Sequence, residues 1–168
     1  MLAVLLCILF YFFGQCFGFV QTPNITQCSG NNSVQLKDLN IRDACYGSNA
    51  SGTFVLKISA ALQSPQIHVE ATVMGSRMPC TFGTVGSCTY DICRGTSPAE
   101  KFLSKPWNSS CPITPSDYRY EISFFINTFL QFLIEGHRIN LTARVKDEGQ
   151  DVGCSKFEIE LRHKKIQA

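Results

Sequence analysis

The sequence predicts an all-β fold: an immunoglobulin-like antiparallel β-sandwich of about seven or eight strands, stabilised by disulfides. Apolar and polar residues alternate with a period of two through several segments, which is typical of strands with one face on a core. No segment repeats its apolar residues at the helical spacing of about 3.6. Seven of the nine cysteines follow residue 18, and disulfides are their default state in an oxidising compartment.

The N-terminal segment, residues 1–18, has the composition of a secretory signal peptide. It contains no charged side chain, and its apolar stretch of about 12 residues is shorter than the roughly 20 that span a bilayer. We expect cleavage after Gly18, which leaves residues 19–168 as a single domain that is secreted or lysosomal. Five N-x-S/T sequons support this route. They are at Asn24, Asn31, Asn49, Asn108 and Asn140.

Six alternating segments predict the main strands. In chain order they are "QLKDLNIRD" (35–43), "TFVLKISAAL" (53–62), "QIHVEATVM" (66–74), "YRYEISFFI" (118–126), "HRINLTARV" (137–145) and "SKFEIEL" (155–161). Gln63–Pro65 and Lys146–Gln150 contain residues typical of hairpin turns. Between Thr89 and Pro115 the alternation fails, which predicts a long connection tied by disulfides, with one helical turn around "PAEKFL" (98–103).

One predicted loop, Asn127–Gly136, is unusually apolar for a connection between strands. Its large apolar residues are Phe129, Leu130, Phe132, Leu133 and Ile134. One interpretation is that the loop folds down and caps one end of the sandwich. The other is that these residues, with Trp107 opposite, form a membrane-docking rim at an opening between the sheets. For Trp107, a buried position is the alternative.

Motifs and charge argue against an enzyme and against nucleic acid as a partner. The sequence contains no G-x-S-x-G elbow, H-E-x-x-H pair or P-loop. A net charge of +2 gives no polybasic patch. No cofactor is implied. A zinc site would need Cys80, Cys88, Cys93 and Cys111, but their spacing lacks the close cysteine pair of zinc knuckles, so no metal site is expected.

Three segments resemble the ML (MD-2-related lipid-recognition) family. They are "RMPCTFGTVGSCTYDIC" (77–93), "SCPI" (110–113) and "GHRINLTARVKDEGQDVGCSKFEIEL" (136–161). The similarity is closest to its ganglioside-activator branch, the sphingolipid cofactors of lysosomal β-hexosaminidase. The "FLIEG" of Phe132–Gly136 is similar to the Trp-Leu-x-x-Gly rim pattern of that branch, with Phe in place of Trp.

The resemblance implies a sandwich whose sheets splay into a cup for acyl chains. It also implies the disulfides Cys28–Cys154, Cys80–Cys88 and Cys93–Cys111. Cys45 has no counterpart in this pattern, so it is either a buried free thiol or the partner of a retained Cys16. The inward strand residues expected to line the cup are Phe54, Leu56, Ile58, Val69, Val73, Tyr120, Ile122, Phe124, Leu141 and Phe157.

The expected function is therefore to take a membrane lipid into an apolar cup and to transfer or present it. The resemblance implies a glycosphingolipid, a phospholipid or a sterol as cargo, transient contact with the membrane surface, and a lysosomal glycosidase as partner. A sterol carrier or an innate-immune lipid co-receptor of the same family is the alternative. An extracellular immunoglobulin-like adhesion module without lipid is the alternative from another class.

Overall fold

The computed structural model describes residues 18–28, 30, 32–81, 86–134 and 136–163. The strands in this part of the chain are β1 (Val20–Gln21), β2 (Thr26–Gln27), β3 (Val34–Arg42), β4 (Ser48–Ile58), β5 (Gln66–Val73), β6 (Ser76–Arg77), β7 (Thr89–Asp91), β8 (Ser116–Ile126), β9 (Arg138–Asp147) and β10 (Gln150–Glu160). The helices are α1 (Pro98–Ser104), a 3-10 turn (Lys105–Trp107) and α2 (Phe129–Ile134). None of these described helices is long and apolar enough to cross a bilayer.

Two antiparallel sheets pack face to face. The first has the order β1-β3-β4-β8, and the second has the order β2-β10-β9-β5-β6, with β7 also paired to β5. The predicted β-sandwich is confirmed. All six alternating segments contribute a long strand, because a side-chain period of two fits only a backbone that presents alternate residues to opposite faces.

The boundaries of β4 differ from the prediction. The strand begins at Ser48, within small polar residues of weak strand propensity, because β8 supplies a continuous ladder from Ser48↔Ile126 to Ile58↔Ser116. It ends at Ile58, and Leu62 instead forms an isolated bridge with Ile113. That bridge ties the long 89–115 connection to the sandwich.

Both apolar connections contain helices. The helical turn expected around "PAEKFL" is present as α1, which begins with a capping box in which Ser97 and Glu100 bond to each other's backbone N–H groups. The loop predicted at Asn127–Gly136 does connect two strands, but it contains a helix that was not predicted, because Phe129–Ile134 form α2. Leu130 and Ile134 are four residues apart, so they share one helix face, and both pack against the core.

The three disulfides that the resemblance implies are present. Their Cα–Cα distances are 5.2 Å for Cys28–Cys154, 4.9 Å for Cys80–Cys88 and 5.8 Å for Cys93–Cys111. The zinc alternative is excluded, because its four thiols are used in two of these bonds. Cys45 is also disulfide-bonded, so it is not a free thiol. Its partner lies outside the described residues.

The core consists of two clusters at opposite ends of the sandwich. The Trp107 cluster contains Ile58, Leu62, Ile92, Trp107 and Ile113 among its buried members. The Ile134 cluster contains Ile41, Val73, Ile126, Ile134 and Ile139 among its buried members. Ile58 and Ile126 belong to opposite ends of the β4–β8 ladder, so the middle of the sandwich lies between the two clusters.

Candidate functional site

A cavity of about 390 Å³ occupies the middle of the sandwich. Both sheets and helix α1 line it. Its larger apolar lining residues include Leu36, Leu39, Phe54, Leu56, Val69, Phe102, Leu103, Tyr120, Ile122, Phe124, Leu141, Phe157 and Ile159. The volume lies in the lower part of the range of roughly 300–1,000 Å³ that is typical of small-molecule pockets.

Strand β8 shows how the cavity arises from the alternation. Tyr120, Ile122, Phe124 and Ile126 point to the same inward face, because they are two residues apart. Tyr120 and Ile126 are buried, but Ile122 is only half-buried and Phe124 is 40% exposed. In a close-packed interior, neighbouring atoms cover an inward side chain on all sides, so it is not exposed. The partial exposure therefore marks a gap between the sheets that opens to the surface near Phe124.

The mouth of the cavity is formed by Phe102 of α1 and Phe124 of β8. Both side chains line the cavity, and they are 37% and 40% exposed. These are two of the five large apolar side chains with high exposure in the described part of the chain. An apolar side chain at a cavity entrance can contact an apolar ligand as it enters.

The sheets are held together where β3 faces β10. The Leu36 N–H donates to Ser155 Oγ at 3.4 Å, and Cys28–Cys154 joins the chain before β3 to β10. At Gly153 an added Cβ would lie 2.4 Å from the Val34 carbonyl oxygen, so no other residue fits this contact. The sandwich is thus closed along β3 and β10 and open at Phe102 and Phe124.

Helix α1 is held over the cavity by hydrogen bonds at its N-terminus. Glu100 Oε1 accepts from the Asp91 N–H and Glu100 Oε2 accepts from the Ser97 N–H, each at 2.9 Å. The hydrogen bonds from Ser97 and from the Asp91 backbone lower the pKa of the Glu100 carboxyl. On the next turn, the Tyr120 hydroxyl donates to the Leu103 carbonyl at 2.7 Å, so α1 is also tied to β8.

The cavity lining is suited to an apolar ligand. Among the described residues that line it, none has a charged side chain. The Tyr120 hydroxyl is bonded to Leu103, and burial raises its pKa, so it stays neutral. Ser155 Oγ donates to Gln27 Oε1 at 3.1 Å. The hydroxyls of Tyr120 and Ser155 thus have hydrogen-bond partners within the protein. Tyr90 is the third lining residue with a hydroxyl, and burial raises its pKa, so it too stays neutral.

No cluster of three or more His, Cys, Asp or Glu side chains with metal-binding geometry occurs within the described ranges.

The structure brings eight of the ten predicted cup residues to the cavity. These are Phe54, Leu56, Val69, Tyr120, Ile122, Phe124, Leu141 and Phe157. The prediction is wrong for Ile58 and Val73, which are buried in the Trp107 and Ile134 clusters. Both lie near strand ends, where the clusters close the sandwich, so an inward position there meets packed side chains rather than space.

Sequence reasoning missed several lining residues. Leu36, Leu39 and Ile41 of β3 line the cavity. Their segment was predicted to be a strand, but none of its residues was predicted to line the cup. Phe102 and Leu103 come from α1, in the connection where alternation fails. For β3 the signal was the apolar alternation itself. For α1 the capping box before two large apolar residues was a usable signal of a helix, but not of its position.

The predicted docking rim is only partly described, and two of its residues must be corrected. Trp107 is buried, donates its indole N–H to the Ile92 carbonyl at 3.1 Å, and packs its ring edge against Tyr118. Ile134 is also buried. Neither is a surface residue, because each completes a core cluster. Leu130 is half-buried. The side chains of Phe129, Phe132 and Leu133 lie outside the described part.

The predicted glycosylation sites are accessible where the structure describes them. Asn24, Asn49, Asn108 and Asn140 are exposed, and Asn31 lies outside the described residues. Their modification stays a prediction.

Comparison with known proteins gives a family and a fold. A family model described as the ML domain matches residues 23–161. No curated protein sequence matches the chain. Among solved structures, the chain is similar to a Niemann-Pick type C2 protein from the Japanese carpenter ant, with a TM-score of 0.53 and 13% identity over 83% of this chain and 99% of that chain.

A weaker likeness is to chicken MD-1 complexed with lipid IVa. Its TM-score is 0.43 at 14% identity, covering 83% of this chain and 98% of that chain. This similarity is too low to support an argument, and the one to the ant protein shows the fold alone.

Proposed function

The chain belongs to the ML-domain family, and from this premise we propose that it is a lipid-binding protein that takes an acyl lipid from a membrane into the cavity between its sheets. The main support is the combination of an apolar cavity with an entrance formed by Phe102 and Phe124. The proposed role is binding and transfer rather than catalysis.

The energetics of lipid transfer explain why the entrance is apolar. Each CH₂ group buried from water contributes about 0.8 kcal/mol, so a chain of about sixteen carbons prefers an apolar medium to water by roughly 12 kcal/mol. A lipid that crossed bulk water would have to overcome most of this transfer free energy. Transfer is therefore fast only if the entrance touches the bilayer, with Phe102 and Phe124 at the contact.

The size and polarity of the cavity limit what it holds. At about 390 Å³ it suits a hydrocarbon tail rather than a whole multi-chain lipid. The lining hydroxyls of Tyr120 and Ser155 are already bonded within the protein. We therefore place the tail in the cavity and the headgroup at the mouth, where water and surface side chains can solvate it.

For the cargo and the partner we propose a (glyco)sphingolipid that is presented to a lysosomal glycosidase, in the extracellular space or the lysosomal lumen. The support is the sequence resemblance to the ganglioside-activator branch in the segments 77–93 and 136–161. A sterol is the competing cargo, since a sterol carrier would have the same sandwich and the same apolar lining. Competition between a labelled sterol and a labelled glycosphingolipid for the purified protein distinguishes the two.

A cavity-filling substitution tests lipid binding itself. Ala143 lines the cavity, and Ala143→Phe would occupy the space of the tail without removing any contact. Thr142→Phe is the matched control, because the adjacent residue of β9 points to the opposite face. Both variants and the unchanged protein are purified from eukaryotic cells, extracted with organic solvent and analysed by mass spectrometry.

The unchanged protein and Thr142→Phe are expected to release about one lipid per chain, and Ala143→Phe at least about tenfold less. Circular dichroism and the unfolding midpoint check that the fold is kept. A lipid-free unchanged protein, or equal lipid in the two variants, would contradict the proposal and favour an adhesion module. An adhesion module would also retain its function in Phe132→Asp.

A further inference from the structure

On the outer face of the first sheet, Phe125 of β8 lies beside the sequon Asn49–Ser51 of β4. The ladder pairs Asn49 directly with Phe125, and opposite residues of an antiparallel pair point to the same face with Cβ atoms about 4.5–5.5 Å apart. Phe124, one residue before, lines the cavity, so this pair faces away from it. Both Asn49 and Phe125 are exposed. A glycan on the Asn49 amide would therefore begin beside the phenyl ring.

Small polar residues surround the Phe125 ring on this face. The next outward pair along the two strands is Ser51↔Ser123, and neither side chain is large enough to cover a phenyl ring. Among the described strands, β8 is the last of the first sheet, so within that part of the chain no strand lies on its far side. The ring is 63% exposed as a result. A group that covered it would gain the free energy of removing apolar surface from water.

A polar groove of about 530 Å³ begins next to this pair. Six of its lining residues form two outward rows that cross β3, β4 and β8, and the ladders pair the members of each row. The rows are Arg42, Ser51 and Ser123, followed by Asn40, Thr53 and Glu121. Since a strand rises about 3.3 Å per residue, the first row lies about 7 Å from Asn49 and Phe125. A sugar chain that starts at Asn49 and passes over Phe125 therefore reaches the groove with its next sugars.

The groove supplies hydrogen-bond donors and acceptors in the mixture that a carbohydrate needs. Arg42 has only donors and Glu121, when ionised, only acceptors. The three hydroxyls of the rows both donate and accept. Neither charged side chain forms an ion pair with another described residue. A hydrocarbon chain laid here would cover these polar groups without satisfying them, whereas sugar hydroxyls would bond to them.

We propose that Asn49 carries an N-linked glycan whose first N-acetylglucosamine stacks on Phe125 and whose next sugars bind in this groove. One face of the sugar ring presents C–H groups, which carry partial positive charge, and the face of an aromatic ring is negative. The hydroxyl and acetamido groups at the edge of the sugar stay free to bond to water and to the groove. The outer face of the first sheet is thus the binding site of the protein's own carbohydrate, separate from the lipid cavity on the inner face.

The attachment follows the usual chemistry of the secretory lumen, to which residues 1–18 are predicted to direct the chain. The donor is an oligosaccharide bound to a lipid pyrophosphate. The bond from C1 of its first sugar to the phosphate oxygen breaks, and C1 forms a bond to Nδ2 of Asn49. Nδ2 loses one proton, and the lipid pyrophosphate leaves.

A second sequon provides an internal comparison. Asn140 is also exposed and also lies in a long strand, β9. Its partners across the ladders are Glu158 and Thr72, neither of which has a ring. A glycan on Asn140 therefore has no aromatic surface directly opposite it, and it should make no contact of the kind proposed for Asn49.

Unfolding of the glycosylated protein tests the contact with Phe125. The full chain is expressed in eukaryotic cells that keep glycans in the high-mannose form, and glycopeptide mass spectrometry determines the occupancy of Asn49 and Asn140. Asn49→Gln should raise the unfolding equilibrium constant on the order of fivefold, the weight of one aromatic contact. In the Phe125→Thr background, which keeps a good strand residue, the same substitution should change it less than about twofold. Asn140→Gln is the control, and its effect should be the same in both backgrounds.

Enzymatic trimming and NMR then isolate the first sugar. An endoglycosidase that leaves one N-acetylglucosamine on Asn49 should retain most of the stabilisation, because that sugar contacts Phe125. With isotope-labelled N-acetylglucosamine, the ring current of Phe125 should shift the C–H protons of this sugar upfield in the unchanged protein. The shift should be absent in Phe125→Thr.

An unoccupied Asn49 would overturn the proposal. So would an equal effect of Asn49→Gln in both backgrounds, or a sugar spectrum that Phe125→Thr leaves unchanged. If Asn49 is unoccupied and Phe125→Thr weakens vesicle binding or dissociates a dimer, a membrane or a second copy covers the ring instead. None of these results depends on whether the cavity holds lipid, so this proposal and the proposed function can fail separately.

Discussion

Two adjacent phenylalanines of β8 have different roles because of the direction of their side chains. Phe124 points inward, lines the cavity and is 40% exposed at its mouth. Phe125 points outward, lies opposite Asn49 across the strand pair, and is 63% exposed. Phe125 is the more exposed of the two, but Phe124 is the one that lines the cavity. Under the proposed function, Phe124 is therefore the one of these two residues that would contact the membrane as lipid enters.

Phe124→Asp is expected to weaken binding to phospholipid vesicles at least about tenfold. Burying a phenylalanine side chain contributes about 1.5–3 kcal/mol, and a carboxylate at the same position must additionally lose hydration on contact with the bilayer. The measurement is vesicle flotation or light scattering with purified protein. Phe125→Asp is the control, because it makes the same change one residue away on the outer face. Equal losses in both variants would show that the mouth is not the docking site.

Helix α1 depends on its cap at the level of the element. It is 7 residues long, and helices this short are marginal in water without other contacts. Ser97 accepts from the Glu100 N–H at 3.3 Å, and Glu100 accepts from the Ser97 N–H in return. The cap therefore contributes, together with the Tyr120–Leu103 hydrogen bond, to holding Phe102 and Leu103 over the cavity.

Ser97→Ala is expected to lower the free energy of unfolding by about 1 kcal/mol, which is the usual cost of removing an N-cap side chain. The rate at which bound lipid leaves the protein should rise in the same variant, because α1 lies at the mouth. Urea unfolding and the transfer of a fluorescent lipid to vesicles measure the two effects. Thr96→Ala, next to the cap but outside it, should change neither.

The cap also predicts an acid-sensitive contribution to stability. Hydrogen bonds lower the pKa of Glu100 below its ordinary value of 4.5. Because the folded state has the lower pKa, the carboxylate stabilises the fold fully above about pH 4.5, and this contribution is lost as pH falls through the lowered pKa. Urea midpoints measured from neutral pH to about pH 3 should fall more steeply for the unchanged protein than for Glu100→Gln. Parallel curves would contradict the assignment.

The whole molecule combines a divided core with disulfides. The Trp107 and Ile134 clusters close the two ends, and the cavity between them is a space that no side chain fills. An interior with an unfilled region forgoes the contacts that close packing provides. Covalent bonds compensate by restricting the unfolded chain, and the bond that spans the longest segment does so most.

Removing Cys28–Cys154 should therefore destabilise the protein more than removing Cys80–Cys88. The two bonds span sequence separations of 126 and 8 residues, for which chain entropy predicts about 5 and about 2.5 kcal/mol. Equilibrium unfolding of the two double Cys→Ala variants provides the comparison. The loss of Cys28–Cys154 should also release lipid, because this bond holds the side where β3 meets β10. An equal or reversed order would show that chain entropy is not the main term.

The sequence by itself determined the strands, their faces and the class of interior. A period of two is a property of the extended backbone, so Phe54, Leu56, Tyr120 and Ile122 could be placed inward without any tertiary contact. The apolar character of the inward faces could be predicted from the same alternation. The connectivity of the three described bridges came instead from the family resemblance, because spacing alone leaves cysteine pairing open.

The tertiary structure alone decided which inward residues pack and which face the cavity. Leu56 and Ile58 have the same alternation, yet Leu56 lines the cavity and Ile58 does not. The buried position of Trp107 is likewise a tertiary property, because its indole N–H donates to the carbonyl of Ile92, fifteen residues earlier. The reason is that strand periodicity depends on the backbone of one segment, whereas a cavity depends on the distance between two sheets. That distance is set by contacts far apart in sequence, such as Gly153 against Val34.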